Sequence, residues 1–384
     1  MNSTYSKLEL FSPDFSSFLT DLIIELDYLR KKRLGGSTIP QIFFQLKNIF
    51  HSLESIGSAR IEGNHTTIAE YIEYKIQKDI SPEMNILEIL NMEKALDFID
   101  ENILKTSLNR DFVSELHRLA VDNLPPPPNG EGDYTPGIYR QSSVRIKGSD
   151  HVPPPSDDVQ WYMDELFDFI NKEDVPKYDL LKTAISHHRF VWIHPFSNGN
   201  GRTVRLFTYA ALVKTGFQVN QGRIINPSAI FCSDRNEYYR YLSKADSGKS
   251  EDILIWCQYV LSGLKSEIDK IDQLLDYKIL QKEILLPAVN YAIERKMITR
   301  DEYLVLKKTI EKQMIKAHDI KTIFPGKHPS DISHIIGKLK EKKMLCPIQE
   351  NGRIYCICFQ NNFLLRGFIK ALGDKGFLPS NEKY

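Results

Sequence analysis

The run Pro125-Pro126-Pro127-Pro128-Asn129-Gly130 constrains this chain more than any other stretch, because no helix can continue through it. Proline lacks the amide donor and its ring collides with the preceding turn, so four in succession end regular structure. On both sides the apolar residues recur at helical spacing. Upstream, Phe18, Leu19, Leu22, Ile23 and Leu26 form one such set, and Phe43, Phe44, Leu46 and Phe50 another. Asn64-His65-Thr66-Thr67 punctuates the pattern, and Thr67 with Glu70 three residues on predicts a capped helix start. A further helix is expected over Met84 to Asn102. Downstream of the prolines, Val144-Arg145-Ile146-Lys147-Gly148 alternates like a short strand or hairpin arm, ended by Pro153 to Pro155. Helical spacing resumes over Trp161 to Ile170, Tyr178 to Ile193 and Ser250 to Lys296. From Ile298 to Phe359 the order reads helix, helix, helix, hairpin, with Ser330 as the cap of a helix through Leu339 and a turn at Glu350-Asn351-Gly352-Arg353. That is the pattern of a winged helix.

A chain of 384 residues exceeds one small core and suggests two or three domains. Its 50 Lys and Arg balance its 50 Asp and Glu, which excludes a global basic field for nucleic acid or anionic membrane. A local patch remains: Lys338, Lys340, Lys342 and Lys343 fall on and just after the expected recognition helix, and suit DNA or a protein partner equally. The start, MNSTYSKLEL, has no basic stretch followed by an apolar run, so no signal peptide is read there. No stretch approaches the ~18 apolar residues of a spanning helix, and no membrane association is expected. Five scattered cysteines, with Cys356 and Cys358 expected on one strand face, fit a reducing compartment, and the reading is cytoplasmic.

The chemistry is concentrated in His194-Pro195-Phe196-Ser197-Asn198-Gly199-Asn200-Gly201-Arg202-Thr203-Val204-Arg205. Glycines on both sides of Asn200 let backbone amides approach a ligand closely. The apolar run from Val204 to Leu212 places a helix just after them, whose free N–H groups and positive dipole end make an anion site. Arg202 and Arg205, three apart, project from its first turn and can clamp phosphate oxygens. His194 precedes the cradle as a general base. Such a turn is equipped for phosphoryl-type transfer by positioning and charge stabilisation. His187 and His188 lie on the preceding helix without a third ligand at zinc spacing, so they read as packing residues. Ser247-Gly248-Lys249-Ser250 lacks the leading glycine of a phosphate loop.

This segment resembles the motif H-x-F-x-[DE]-G-N-G-R-x-x-R of the Fic (Fido) family, matching at His194, Phe196, Gly199, Asn200, Gly201, Arg202 and Arg205. Asn198 stands where the family has a carboxylate. Upstream, Ser58-Ala59-Arg60-Ile61-Glu62-Gly63 resembles the family's inhibitory motif [ST]-x-x-x-E-[GN], and Asn236-Glu237-Tyr238-Tyr239 its adenosine-holding stretch. The resemblance implies a mostly α protein: a helical Fic fold with a β-hairpin flap, plus a C-terminal winged-helix module. Its expected domains are 1–105 (inhibitory segment), 106–275 (catalytic core) and 276–384 (linker helix and winged helix). It implies transfer of AMP from ATP, with Mg²⁺, to a Ser, Thr or Tyr hydroxyl of a target protein. His194 would be the base. Gly199, Asn200, Gly201, Arg202, Thr203, Val204, Arg205 and Tyr239 would hold the nucleotide, and Asn198 would face the metal. Ser58 and Glu62 would inhibit, Glu62 by pairing with Arg205. Val144, Arg145 and Ile146, following Pro136-Gly137-Ile138-Tyr139-Arg140, would form the flap that docks the target as an added strand. Left open are another nucleotide donor, AMP removal with Glu62 orienting water, a DNA-binding regulator that only senses nucleotide, and a homodimer.

Overall fold

The structure, a computed structural model, describes residues 7–31, 37–77, 81–146, 149–218, 224–360 and 363–378. The chain divides into two compact units. The first takes its residues from Met1–Arg33, His51–His65 and Pro82–Asp269, the second from Leu34–Phe50, Thr66–Ser81 and Lys270–Tyr384. In chain order the helices begin with α1 (Phe18–Lys31), α2 (Pro40–Ile61), α3 (Ile68–Ile76), α4 (Met84–Asn102) and α5 (Arg110–Val121). They continue with α6 (Val159–Asn171), α7 (Asp179–Ile193), α8 (Asn200–Lys214), α9 (Ser228–Ser233), α10 (Arg235–Ala245) and α11 (Ser250–Leu274).

In the first unit α7 and α8 are central. From Leu180 to Phe190 every side chain of α7 is buried, and α8 is buried at almost every position to Val213. A helix covered all round belongs in the middle of a domain, not at its surface. The two lie side by side, with α4 and α5 against α8 and α6 against α7. Ala184, Phe190, Ile193, Phe196, Val204 and Phe207 are part of one continuous apolar core. Burying each large side chain contributes ~1.5–3 kcal/mol, so the short loop joining α7 to α8 is clamped by the best-packed pair in the unit. The polar groups on these faces find partners: His187 bonds Thr208 (2.7 Å) and Tyr238 (2.9 Å), and His188 bonds Asp246 (2.9 Å). Both histidines are packing residues, as their spacing implied.

The second unit adds α12 (Tyr277–Leu280), running through a π turn at Gln281–Leu285 into α13 (Leu286–Glu294), then α14 (Arg300–Lys312), α15 (Ala317–Lys321) and α16 (Pro329–Glu341). Strands β1 (Leu345–Pro347) and β2 (Tyr355–Ile357) pair antiparallel, Cys346 facing Cys356, and α17 (Leu364–Asp374) packs on α13. Gln45 stands beside β2, accepting from the Phe359 amide (2.9 Å) and donating to the Ile357 carbonyl (3.0 Å). A side-chain amide thus covers part of a strand edge. The helix-helix-helix-hairpin order is present, and α17 was not anticipated.

Local expectations fared unevenly. Thr67 and Glu70 form a reciprocal capping box at α3, and α4 spans Met84 to Asn102. The cap of α16 is His328 rather than Ser330: Pro329 takes the first helical position, and the His328 ring accepts from the Ser330 amide. Val144, Arg145 and Ile146 form no strand, and Lys147 and Gly148 lie outside the described residues. An alternating pattern becomes a strand only where a ladder partner exists, and none is paired with these residues among those described.

Candidate active site

Helix α7 ends on His194, which takes a left-handed conformation (φ 53°, ψ 61°). Such a φ is uncommon for a residue with a side chain, and Arg140 holds it in place. The Arg140 Nε donates to the His194 carbonyl (2.8 Å), Nη2 to the carbonyls of Ile193 (3.3 Å) and Pro154 (2.5 Å), and Nη1 to Ser142 (3.0 Å). Its own amide donates to the Pro195 carbonyl (2.8 Å). A buried guanidinium at the negative end of a helix, bonded to carbonyls, satisfies groups the helix leaves unpaired. The His194 ring is half-buried, with Nδ1 3.4 Å from the Val191 carbonyl. Burial pushes its pKa down to about 4, so the imidazole is neutral near pH 7.

The loop then closes on itself. The Asn200 Oδ1 accepts from the Phe196 amide (2.9 Å) and Nδ2 donates to the Phe196 carbonyl (2.8 Å). Asn200 therefore shapes the loop with its side chain, and its backbone amide stands at the start of the helix. Gly199 sits at φ 72°, and a methyl there would lie 2.9 Å from Val121 and 3.3 Å from the His117 ring. Helix α8 begins at Asn200, one residue inside the glycine pair, and Gly199 supplies no side chain to cap it. The Thr203 hydroxyl turns back to the Gly199 carbonyl (2.9 Å), and Val204 is buried in the core. Neither presents its side chain to the cradle.

The two arginines part company. Arg205 donates from Nε to the Ser58 hydroxyl (2.8 Å) and from Nη2 to the Ser58 carbonyl (3.0 Å) and Glu62 Oε1 (2.7 Å). Ser58 on α2 and Glu62, the residue just past its end, thus grip one guanidinium. Burial raises the Glu62 carboxyl, but Arg205 outweighs it and holds the pKa below the ordinary carboxylate value. The same carboxylate lies over the first turn of α8: a methyl at Gly201 would sit 2.0 Å from Glu62 Oε1. Arg202 faces elsewhere. It pairs with buried Glu88 on α4 (3.1 Å) and donates to the carbonyls of Ala120 (3.5 Å) and Glu131.

Asn198 donates its backbone amide to Asp133 Oδ2 (2.9 Å) and its Nδ2 to the Gly132 carbonyl (2.9 Å), leaving Oδ1 as its acceptor. Asp133 Oδ1 is already taken by the Thr135 amide (2.8 Å). Among the described residues, no group of three His, Cys, Asp or Glu is placed to hold a metal. Tyr239, on α10, is 40% exposed, with its hydroxyl 3.2 Å from Arg235 Nε and the guanidinium over its ring. Its neighbour Tyr238 is buried among Phe231, Trp256 and His187. Val144 and Ile146 are half-buried and Arg145 exposed.

Sequence reasoning missed His117, Asp133 and Glu88, and read Arg140 only as part of the flap stretch. His117 stacks face to face on Phe196 (3.8 Å), accepts from the Gly137 amide at Nδ1 (2.8 Å) and therefore donates from Nε2 to the Asn198 carbonyl (3.0 Å). Burial pushes its pKa down to about 4, in keeping with this neutral tautomer. Its partners are 20 and 81 residues away, so no local pattern marks it.

With this geometry established, comparison with known proteins is informative. Residues 107–212 match the family model of the Fic/DOC family. The protein adenylyltransferase Fic of Nematostella vectensis is 31% identical over 237 residues, covering 60% of this chain and 49% of that protein. The one from Aedes aegypti is 30% identical over 235 residues, covering 57% and 42%. The chain thus spans about half the length of the curated relatives it matches. A Fic family protein from Desulfovibrio desulfuricans has a TM-score of 0.55 at 18% identity, over 92% of this chain and 98% of that one. Fic-1 from C. elegans has a TM-score of 0.52 at 20% identity, over 66% and 72%. These structural likenesses are ones of fold. The chain carries a Fic/DOC family domain, within which lie His194, the glycine turn and both arginines.

Proposed function

We propose that this chain is a protein adenylyltransferase that moves AMP from ATP to a Ser, Thr or Tyr hydroxyl of a target protein, and that Glu62 holds it silent. The observation that carries this reading is the 2.7 Å pair between Glu62 and Arg205 over an otherwise uncapped, glycine-lined helix start. An anion seat filled by the protein's own carboxylate is one that a nucleotide phosphate fits. In the proposed step the neutral His194 imidazole takes the proton of the target hydroxyl. A bond forms from that oxygen to the α-phosphorus, the bond to the β-bridging oxygen breaks, and pyrophosphate leaves. Amides at Gly199 to Gly201 steady the α- and β-phosphates, Arg205 the γ-phosphate, and Tyr239 the adenosine end. Arg202 contributes through its backbone position. The relatives' names, protein adenylyltransferase, support the reaction class.

With Nδ2 turned to the Gly132 carbonyl, Asn198 Oδ1 would be the neutral protein oxygen available to a Mg²⁺ brought in by the nucleotide. That ion would neutralise charge developing on the leaving phosphates. We place the flap at Val144, Arg145 and Ile146 as the docking edge for an extended target segment. The C-terminal module reads as a winged helix for a protein or DNA partner; of its lysines, Lys342 is paired to Glu302 (2.6 Å) and Lys340 lies over the Tyr355 ring (5.8 Å). A cytoplasmic, membrane-free protein fits this reading, and no helix among the described residues is long and apolar enough to cross a membrane.

The test is self-labelling with ATP labelled at the α-phosphate. Wild type is expected to be nearly silent and Glu62→Gly strongly labelled, since one charge-assisted hydrogen bond of ~1.5–3 kcal/mol corresponds to roughly ten-fold or more. Arg205→Ala in the Glu62→Gly background should erase the gain. A silent Glu62→Gly with ATP and Mg²⁺, but an active one with another nucleotide, would move the reading to a different donor. Release of AMP from pre-labelled protein by wild type alone would favour AMP removal, with Glu62 orienting water.

A further inference from the structure

The end of α2, where Glu62 sits, is more elaborately tied than an inhibitory contact alone requires. Glu62 is the cap residue of the helix. Gly63 follows at φ 105°, its amide bonding the Arg60 carbonyl (3.0 Å), and the Asn64 amide reaches back to the Ala59 carbonyl (3.1 Å). This pair of bonds is a Schellman closure, in which the glycine supplies the left-handed turn and the next residue anchors it. That next residue, Asn64, is buried, and its side-chain Nδ2 donates to Glu88 Oε2 (2.7 Å) and to the Asn85 carbonyl (2.9 Å). The other oxygen of Glu88 pairs with Arg202 in the first turn of α8 (3.1 Å). Two tethers therefore join the end of α2 to the first two turns of α8. One is direct, Glu62 to Arg205; the other runs from Asn64 through Glu88 to Arg202.

Resting on the proposed inhibitory role of Glu62, we infer that Asn64 is its positioning residue, and that the Asn64–Glu88–Arg202 chain sets the carboxylate over Gly201. Glu88 is 3% exposed and lies 3.1 Å from Arg202, which only partly offsets the burial that raises its pKa, so it is a fixed post rather than a mobile surface acid. A donor removed from such a post leaves a buried carboxylate oxygen short of a partner, and the end of α2 relaxes away from it. Asn64 touches neither His194 nor Arg205 in any bond described above. On this inference its effect on transfer passes through Glu62.

The full chain is used for the test, comparing Asn64→Ala, Glu62→Gly and the double variant. Asn64→Ala alone is expected to raise self-labelling roughly ten-fold over wild type, the worth of about one hydrogen bond to a charged group. In the Glu62→Gly background Asn64→Ala should change nothing, because the group it positions is gone. A merely structural role would instead lower labelling in both backgrounds. The second measurement needs no activity: amide hydrogen exchange at residues 63 and 64 should quicken several-fold in Asn64→Ala while the interior of α7 keeps its wild-type protection. Glu62→Gly active with Asn64→Ala silent, or unchanged exchange at residues 63 and 64, overturns the inference. A silent Glu62→Gly overturns the proposed function, and the exchange result then decides the role of Asn64.

Discussion

The loop from His194 to Gly199 and the segment from Gln141 to Ile146 are both short and irregular, and they hold their residues in opposite ways. In the first, the backbone is tied from several sides: Arg140 on His194, Asn200 on Phe196, His117 and Asp133 on Asn198. Its flanking helices are buried along almost their whole length. In the second, among the described residues, Arg140 takes the Ser142 carbonyl, the Ser149 amide turns back to Ile146, and no strand pairs with Val144 or Arg145. The contrast is the one that the proposed function asks for. Groups that act on a reacting phosphate must be held to within a fraction of an ångström. A backbone that receives a partner strand must keep its amides and carbonyls unpaired until the partner arrives.

The contrast breaks most severely if the clamped loop carries no chemistry. His194→Ala should lower protein labelling by ~10²–10⁴-fold in the Glu62→Gly background, the usual contribution of a general base. ATP affinity, read by calorimetry, should stay near its unmutated level, because other groups hold the phosphates. Labelling at the undiminished rate would remove His194 from the reaction.

A smaller effect is expected at the open segment. Ile146→Pro deletes one amide donor from the edge, and labelling of lysate proteins by Glu62→Gly should fall roughly ten-fold, about one lost ladder bond in a desolvated site. ATP binding should not change. If nucleotide affinity falls with it, the segment belongs to the cradle and the two regions are not separate in role.

The effect expected to leave labelling least changed falls on stability instead, at the tie between α2 and α9. The buried Glu54 carboxylate accepts from the Ser228 amide (2.8 Å) and hydroxyl (2.5 Å), and burial pushes its pKa up to about 7 from an ordinary 4.5. Between those values the folded chain binds more protons than the unfolded one, so this group makes stability fall as pH rises from about 4.5 to about 7. The fall is at most ~3 kcal/mol. Glu54→Gln should flatten that part of a stability–pH curve measured by denaturant unfolding. A curve with the wild-type slope would show that Glu54 is ionised throughout.

Much of the local architecture is legible because it is local. Thr67 and Glu70 lie three residues apart, and the fixed geometry of a first helical turn brings them together. The glycine turn and its two arginines are contiguous for the same reason. Ser330 misled because the proline before it shifted the cap by two residues to His328. The flap pattern misled because alternation records which faces can be buried, while a strand also needs a neighbour.

The sequence by itself determined that a histidine, an uncapped glycine-rich helix start and two guanidiniums lie close together along the chain, since that follows from covalent order and helix geometry. Spacing alone did not distinguish Arg202 from Arg205, which read as an equivalent pair of clamps; only the resemblance to the inhibitory motif singled out Arg205. Residues three apart differ by some 60° around a helix axis, and in the buried first turn of α8 that rotation selects different neighbours. Arg205 meets Ser58 and Glu62 from α2, whereas Arg202 meets Glu88 from α4 and carbonyls after α5. Those partners lie from 71 to 147 residues away in the chain where the separation is long-range hydrogen bonding. Only packing of α2, α4 and α5 around α8 brings them within reach, and that packing is a property of the apolar core rather than of the motif.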